Sequence, residues 1–394
     1  MVKEVLIIGA GKIGRGFIGQ LFFHSGYKLW FVDASRELVN RLNAEKKYRV
    51  DLAGIPSDTT EYIRLEGAFT PENRKSTWEI LDRIEIMAMS VGADNIETTA
   101  AFVRRGLKQR DLDHRLNWLI CENALDPARK VMDILMEGAN DRMKSFLQGK
   151  LGLIETQVLR TGMPAKTEVL EKDPLALRMQ DWWTLPFDKD AFVGEIPDIL
   201  GFLPRTNFQN ELIRKLYTFN GTNGPIAYIG WANGFKILHE SALAFRPFFE
   251  EIQEESAWGL VNEYGFEPGE HREYMAMAMN KYTDPAINDR IERNARDLRR
   301  KLGREERMLG PALLCLKHDR EPVAYAKAIA AAYCFDGSDD EGTLAVRATV
   351  TNRGIEEAIR TFSGIDESNK LFSMIVEAFR QKTYLVLPGY RGSS

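Results

Sequence analysis

The sequence predicts an α/β fold, with a mostly parallel sheet in the first half and an all-helical second half. Three observations carry that reading. Short apolar runs alternate with helix-like stretches up to residue 159. From about residue 200 onward the apolar spacing is helical throughout. Between the two, Pro186, Pro197, Gly201 and Pro204 punctuate the chain. At 394 residues the chain is long for one core, so two domains are expected, 1–200 and 201–394.

In order along the first half, residues 5–8 read as a buried strand, 15–25 as a helix and 29–32 as a second strand. Residues 34–46 read as a helix, with short strands at 49–52 and 62–65. A buried strand at 84–91 ends in Ser-Val-Gly, a helix follows at 96–106, and a strand at 116–121 runs into Glu122 and Asn123. Residues 125–137 fit a helix and 152–159 a further strand. In the second half, 208–219, 226–245, 248–264, 272–280, 286–301, 322–334, 342–351, 355–361 and 370–381 read as helices. The tail at 387–394 contains Pro and Gly, and its end is expected to be disordered.

Composition narrows the function. A formal net charge of −4 offers no basic field for nucleic acid. No apolar run approaches the ~20 residues that span a bilayer. The chain enters its first strand without a signal peptide, and its three cysteines form no C-x-x-C pair, so a cytoplasmic protein is expected. The five histidines are scattered, which argues against a protein-held catalytic zinc.

The first strand runs into Gly9-Ala10-Gly11-Lys12-Ile13-Gly14, and Asp33 closes the second. Three glycines at this spacing, between a strand and a helix and followed by an acid about 20 residues on, are the dinucleotide-binding fingerprint of a Rossmann-type domain. Gly9 makes the turn, Gly11 lets the backbone approach a pyrophosphate, and Gly14 lets the helix sit close to the sheet. The first-turn amides face the phosphates. Asp33 would accept from the ribose hydroxyls, which favours NAD over NADP, although Arg36 is placed to meet a 2′-phosphate. Ser90, Val91 and Gly92, at the end of a parallel strand, are further candidate cofactor contacts. The cleft between the two halves is the expected active site.

In the helical half, residues 215–225 contain Lys215, Asn220 and Asn223 ahead of Pro225. On an ideal helix Asn220 lies about 140° and Asn223 about 80° from Lys215, all within one arc. The glycines and Pro225 are expected to break the helix here, with two helix ends aiming the three side chains into one pocket. A lysine stripped of water can accept an alcohol proton, and amide side chains can hold the oxygen that becomes a carbonyl. On spacing alone, the plainer reading is that Lys215 is a solvated helix lysine and Asn223 the N-cap of a helix starting at Pro225.

The residues Gly-Ala-Gly-Lys-Ile-Gly-Arg-Gly-Phe-Ile-Gly (9–19), Cys-Glu-Asn (121–123) and Lys-Leu-Tyr-Thr-Phe-Asn (215–220) resemble the polyol-specific long-chain dehydrogenases. Further likenesses are at 227–230, 300–302 and 307–311, so nearly the whole chain is covered, and the branch acting on mannitol 1-phosphate is the most similar. The resemblance implies a zinc-independent enzyme moving hydride between NAD and a sugar alcohol or its phosphate, as a monomer or homodimer. It puts the general base on Lys215 and the oxygen-holding asparagines on Asn123 and Asn220. Two departures stand out: Asn223 replaces the family's histidine, and Leu159 replaces an aspartate. They leave open a changed substrate or a non-catalytic NAD sensor. The basic stretch at 295–307 reads either as a solvated helix end or as a substrate-phosphate site made by Arg300, Lys301, Arg304 and Arg307.

Overall fold

A computed structural model describes residues 3–53, 57–124 and 126–387; Leu125 and the tail from 388 on lie outside them. The chain divides into two units, residues 1–208 and 209–394.

The strands of the first unit are β1 (Glu4–Ile8), β2 (Lys28–Val32), β3 (Lys47–Ala53), β4 (Thr59–Arg64), β5 (Gly67–Phe69), β6 (Ile86–Met89), β7 (Leu116–Ile120), β8 (Leu151–Glu155), β9 (Gly162–Met163), β10 (Leu177–Gln180), β11 (Leu185–Asp188) and β12 (Phe202–Arg205). The main sheet has the order β5-β2-β1-β6-β7-β8 and is parallel throughout. Its central strands are apolar on both faces, as strands covered by helices on each side must be. The order reverses between β1 and β6, which makes the switch point where this fold binds ligands.

The short strands expected at 49–52 and 62–65 lie outside that sheet. They form an antiparallel pair, β3 with β4, in a second sheet ordered β4-β3-β10-β9. The helix expected at 15–25 begins at Lys12 and widens into a π turn at Gly14–Gly19 before continuing as Gln20–His24. A π turn tips carbonyls off the helix axis, and here neighbours receive them: Tyr48 Oη donates to Arg15 O (2.8 Å) and Arg160 Nη1 to Gly16 O (3.0 Å).

In the second unit every regular element among the described residues is helical. The stretch expected as one helix at 226–245 is interrupted, with helices at Gly221–Ala232 and Leu238–Ala244. The one expected at 286–301 is two short helices, Ile291–Ala295 and Leu298–Lys301. A helix not anticipated, Leu309–Lys317, packs on the long helix Arg246–Tyr264. Among the described residues no helix is long and apolar enough to cross a membrane.

Candidate active site: two half-sites

The half-site of the first unit is built at the C-terminal ends of β1, β6 and β7. Gly9 sits at φ +95°, and a Cβ there would lie 2.1 Å from the Ser90 carbonyl oxygen. A Cβ on Gly14 would lie 1.8 Å from the Gly9 carbonyl oxygen, so only glycine lets the turn close. Beside Gly11 a Cβ would meet nothing within 4 Å, and this is the open cradle a pyrophosphate needs. Asp33 Oδ2 accepts from the Ala10 amide (2.8 Å) and Oδ1 from the Ser35 amide (2.9 Å). The carboxylate thus ties the glycine loop to the end of β2 and keeps lone pairs for a ribose. Ile13 is partly buried, while Lys12 and Arg36 are exposed; the stem of Lys12 lies over Gly162.

Glu122 is a residue whose part in the site the sequence did not reveal. Its carboxylate accepts from the amides of Val91 (2.5 Å) and Gly92 (3.0 Å). Burial pushes its pKa up, and those two amides pull it back. The Val91 and Gly92 amides are therefore taken by protein, and what this turn presents to a ligand is its outer surface. Asn123, directly after β7, is exposed.

The half-site of the second unit corrects the expected broken helix. The chain is helical without interruption over 208–232, passing from Phe208–Lys215 through a π turn at Leu216–Asn220 into Gly221–Ala232, with Pro225 inside the helix. Asn223 is accordingly not an N-cap; it donates to Asn294 Oδ1 (3.2 Å). The π turn inserts the equivalent of one residue, which rotates everything after it back by about 100°. Asn220 then lies about 40° from Lys215 and Asn223 about 20° on the other side, so all three share one narrow face. One widened turn, rather than two helix ends, brings the three residues onto that face.

Lys215 is partly buried, and that burial together with the charge of Lys281 presses its pKa down to about 8. Lys281 is itself pushed to about 8 by burial, with Asp289 opposing. Sequence spacing carries no signal for Lys281, because it lies 66 positions away on the helix Pro268–Thr283. The residue before Lys215 is anchored: Arg214 is buried between the rings of Phe266 (4.8 Å) and Tyr274 (4.3 Å) and donates to His271 Nδ1 (3.1 Å).

The basic stretch is largely self-paired. Arg300 binds Asp297 and Glu306, and Arg307 binds Glu306. Lys301 is buried and donates to the carbonyls of Asn294 and Arg296, both at 2.6 Å, so it braces the backbone beside Asn223's partner. Arg304 is exposed and donates to the Gly364 carbonyl (2.9 Å). Leu159 is buried in the first unit. Among the described residues no group of three or more His, Cys, Asp or Glu is placed to hold a metal ion.

Comparison with known proteins matches the mannitol dehydrogenase Rossmann domain over residues 3–201 and the mannitol dehydrogenase C-terminal domain over 210–382. The chain belongs to the mannitol dehydrogenase family. It is therefore an oxidoreductase of CH–OH groups. Mannitol-1-phosphate 5-dehydrogenase of Thermoanaerobacter pseudethanolicus is 28% identical over 97% of this chain and 98% of its own. The Brevibacillus brevis protein of that name is 30% identical over 95% and 96%. Among solved structures, D-sorbitol dehydrogenase in substrate-free form superposes with a TM-score of 0.80 at 14% identity, over 98% of this chain and 95% of that one. Mannitol 2-dehydrogenase of Pseudomonas fluorescens, in a ternary complex with NAD and D-mannitol, gives 0.72 at 13% identity, over 98% and 94%. At such identities these structures establish the shared fold.

Proposed function

We propose that this family member oxidises a sugar alcohol or sugar-alcohol phosphate, of the mannitol 1-phosphate and fructose 6-phosphate type, with NAD. The observation that carries the reading is the π turn, which sets a lysine of lowered basicity on one face with Asn220 and Asn223. The relatives' names support the phosphorylated substrate.

Gly9, Ala10, Gly11, Lys12, Ile13, Gly14 and Asp33 would hold the dinucleotide, with Ser90, Val91 and Gly92 forming the wall that Glu122 stiffens. Bound there, NAD supplies the hydride acceptor. Neutral Lys215 takes the proton of the substrate hydroxyl. Asn123 and Asn220 donate hydrogen bonds to the oxygen as it becomes a carbonyl, which stabilises the alkoxide-like charge on the way. Asn223, held by Asn294, orients a neighbouring hydroxyl without titrating near neutrality. Formation of NADH from mannitol 1-phosphate, and its loss with fructose 6-phosphate, tests the assignment, with NADP run alongside. Silence across hexitols, pentitols, uronates and their phosphates would sink it.

The base requires a rising pH profile. Lys215 must be neutral to accept a proton, so polyol oxidation should rise with pH through a midpoint near 8. Lys281→Met removes the like charge that opposes protonation, so the midpoint should move to higher pH. A midpoint that stays in place would show that Lys281 does not tune the base.

For the substrate phosphate we propose Arg304, which is exposed, whereas Arg300 and Arg307 are paired with Glu306 and Lys301 is committed to backbone carbonyls. Arg304→Ala should raise KM for a phosphorylated polyol about tenfold and leave KM for the unphosphorylated one unchanged. Equal effects on both substrates would remove Arg304 from that role.

A further inference from the structure

The π turn at Leu216–Asn220 has a cost to meet. Pro225 has no N–H, so the Gly221 carbonyl lacks its usual partner four residues on, and the widened turn tips further carbonyls outward. Buried carbonyls without partners are expensive. Here three hydroxyls from three separate helices serve alternate carbonyls. Ser256 Oγ, on Arg246–Tyr264, donates to Tyr217 O (2.9 Å). Tyr282 Oη, on Pro268–Thr283, donates to Phe219 O (2.9 Å). Tyr325 Oη, on Val323–Tyr333, reaches Gly221 O (3.3 Å) and Tyr217 O (3.4 Å). Tyr325 is fully buried, and Gly221 is glycine because a Cβ there would lie 2.8 Å from that hydroxyl. Glu255 fixes Tyr325 in turn, accepting from the amides of Ala324 (2.8 Å) and Tyr325 (2.9 Å) at the start of its helix.

We propose that Ser256, Tyr282 and Tyr325 are positioning residues, a hydroxyl brace that holds the π register and so keeps Lys215 and Asn220 on one face. The inference rests on the dehydrogenase reading of that turn. None of the three touches substrate; each acts through a carbonyl of the turn.

Tyr325→Phe deletes only a hydroxyl and preserves the packed ring. In the full-length protein it should lower kcat for polyol oxidation about tenfold, with NADH affinity unchanged. Pro225→Ala, placed on top of Tyr325→Phe, restores an N–H to the Gly221 carbonyl and should recover most of the lost kcat. Ser256→Ala should act in the same direction as Tyr325→Phe and stands in for it if that variant does not fold. An unchanged kcat in both single variants, or a loss that Pro225→Ala leaves untouched, would overturn the brace. A second readout needs no substrate: the pH dependence of acylation of the Lys215 amine. In Tyr325→Phe the loosened turn hydrates Lys215, and its pKa should rise. If wild type shows no turnover on any polyol while this pKa rises in the variant, the dehydrogenase reading fails and the brace stands. If wild type turns over, Lys215→Ala does not, and neither kcat nor pKa moves in Tyr325→Phe, only the brace fails.

Discussion

Replacing Lys215 with alanine should lower polyol turnover by about 10²–10⁴-fold, the usual contribution of a positioned general base. That corresponds to about 3–5 kcal/mol of transition-state stabilisation. The loss should fall on kcat, because the proposed dinucleotide contacts are the glycine loop and Asp33, and Lys215 is proposed to act on the substrate hydroxyl. NADH affinity should therefore stay within about twofold of wild type. Stability should move the other way. An amine whose pKa is lowered from 10.5 to about 8 by folding destabilises the folded state. That penalty is complete below about 8, where both states are protonated, and is relieved as pH rises through 10.5, where both are neutral. At neutral pH Lys215→Ala should thus melt no lower than wild type, and its advantage should shrink in alkaline buffer. Lost stability together with lost activity would mark Lys215 as a structural lysine, and full turnover in the variant would exclude it as the base.

The two half-sites were legible in the sequence to different degrees, for reasons of range. The glycine loop is a local motif: Gly9, Gly14 and Asp33 act within one strand-turn-helix-strand unit, so spacing alone pointed to it, and the structure shows the close approaches that spacing implied. The second half-site depends on tertiary support. Glycines beside Pro225 read as a helix break because local propensity is the only signal a sequence offers there. The helix survives because Ser256, Tyr282 and Tyr325 take up its carbonyls, and none of them lies within 30 positions of the turn. The arc that Lys215 and Asn220 span, about 140° on an ideal helix, is consequently narrowed by a π turn that sequence spacing does not signal. Lys281 tunes a residue it is remote from in sequence, and Glu122 caps a turn on a neighbouring strand; neither follows from a pattern. The short strands β9 to β12 escaped notice for a similar reason. With two to four residues each, they are defined by their partners rather than by their own alternation.

Two substitutions in the glycine loop should separate folding from cofactor binding. Gly9→Ala puts a Cβ 2.1 Å from the Ser90 carbonyl oxygen in a backbone held at φ +95°. Neither the carbonyl nor the turn has room to yield, because the Ser90 amide is itself bonded to the Ile8 carbonyl at 2.8 Å. The strain should cost roughly 3 kcal/mol or more and lower the melting temperature sharply. Gly11→Ala is the contrasting case. Its Cβ would meet nothing within 4 Å in the protein, so the melting temperature should hold. The methyl occupies the space a pyrophosphate needs, and NADH affinity should fall by about 10–100-fold, measured by calorimetry or by quenching of tryptophan emission. The two variants bracket the claim. If Gly11→Ala binds NADH as wild type does, the dinucleotide does not cross this turn, whatever Gly9→Ala does to the fold. If Gly11→Ala loses NADH at an unchanged melting temperature, the space beside Gly11 is kept open for the ligand, because packing within the protein makes no use of it.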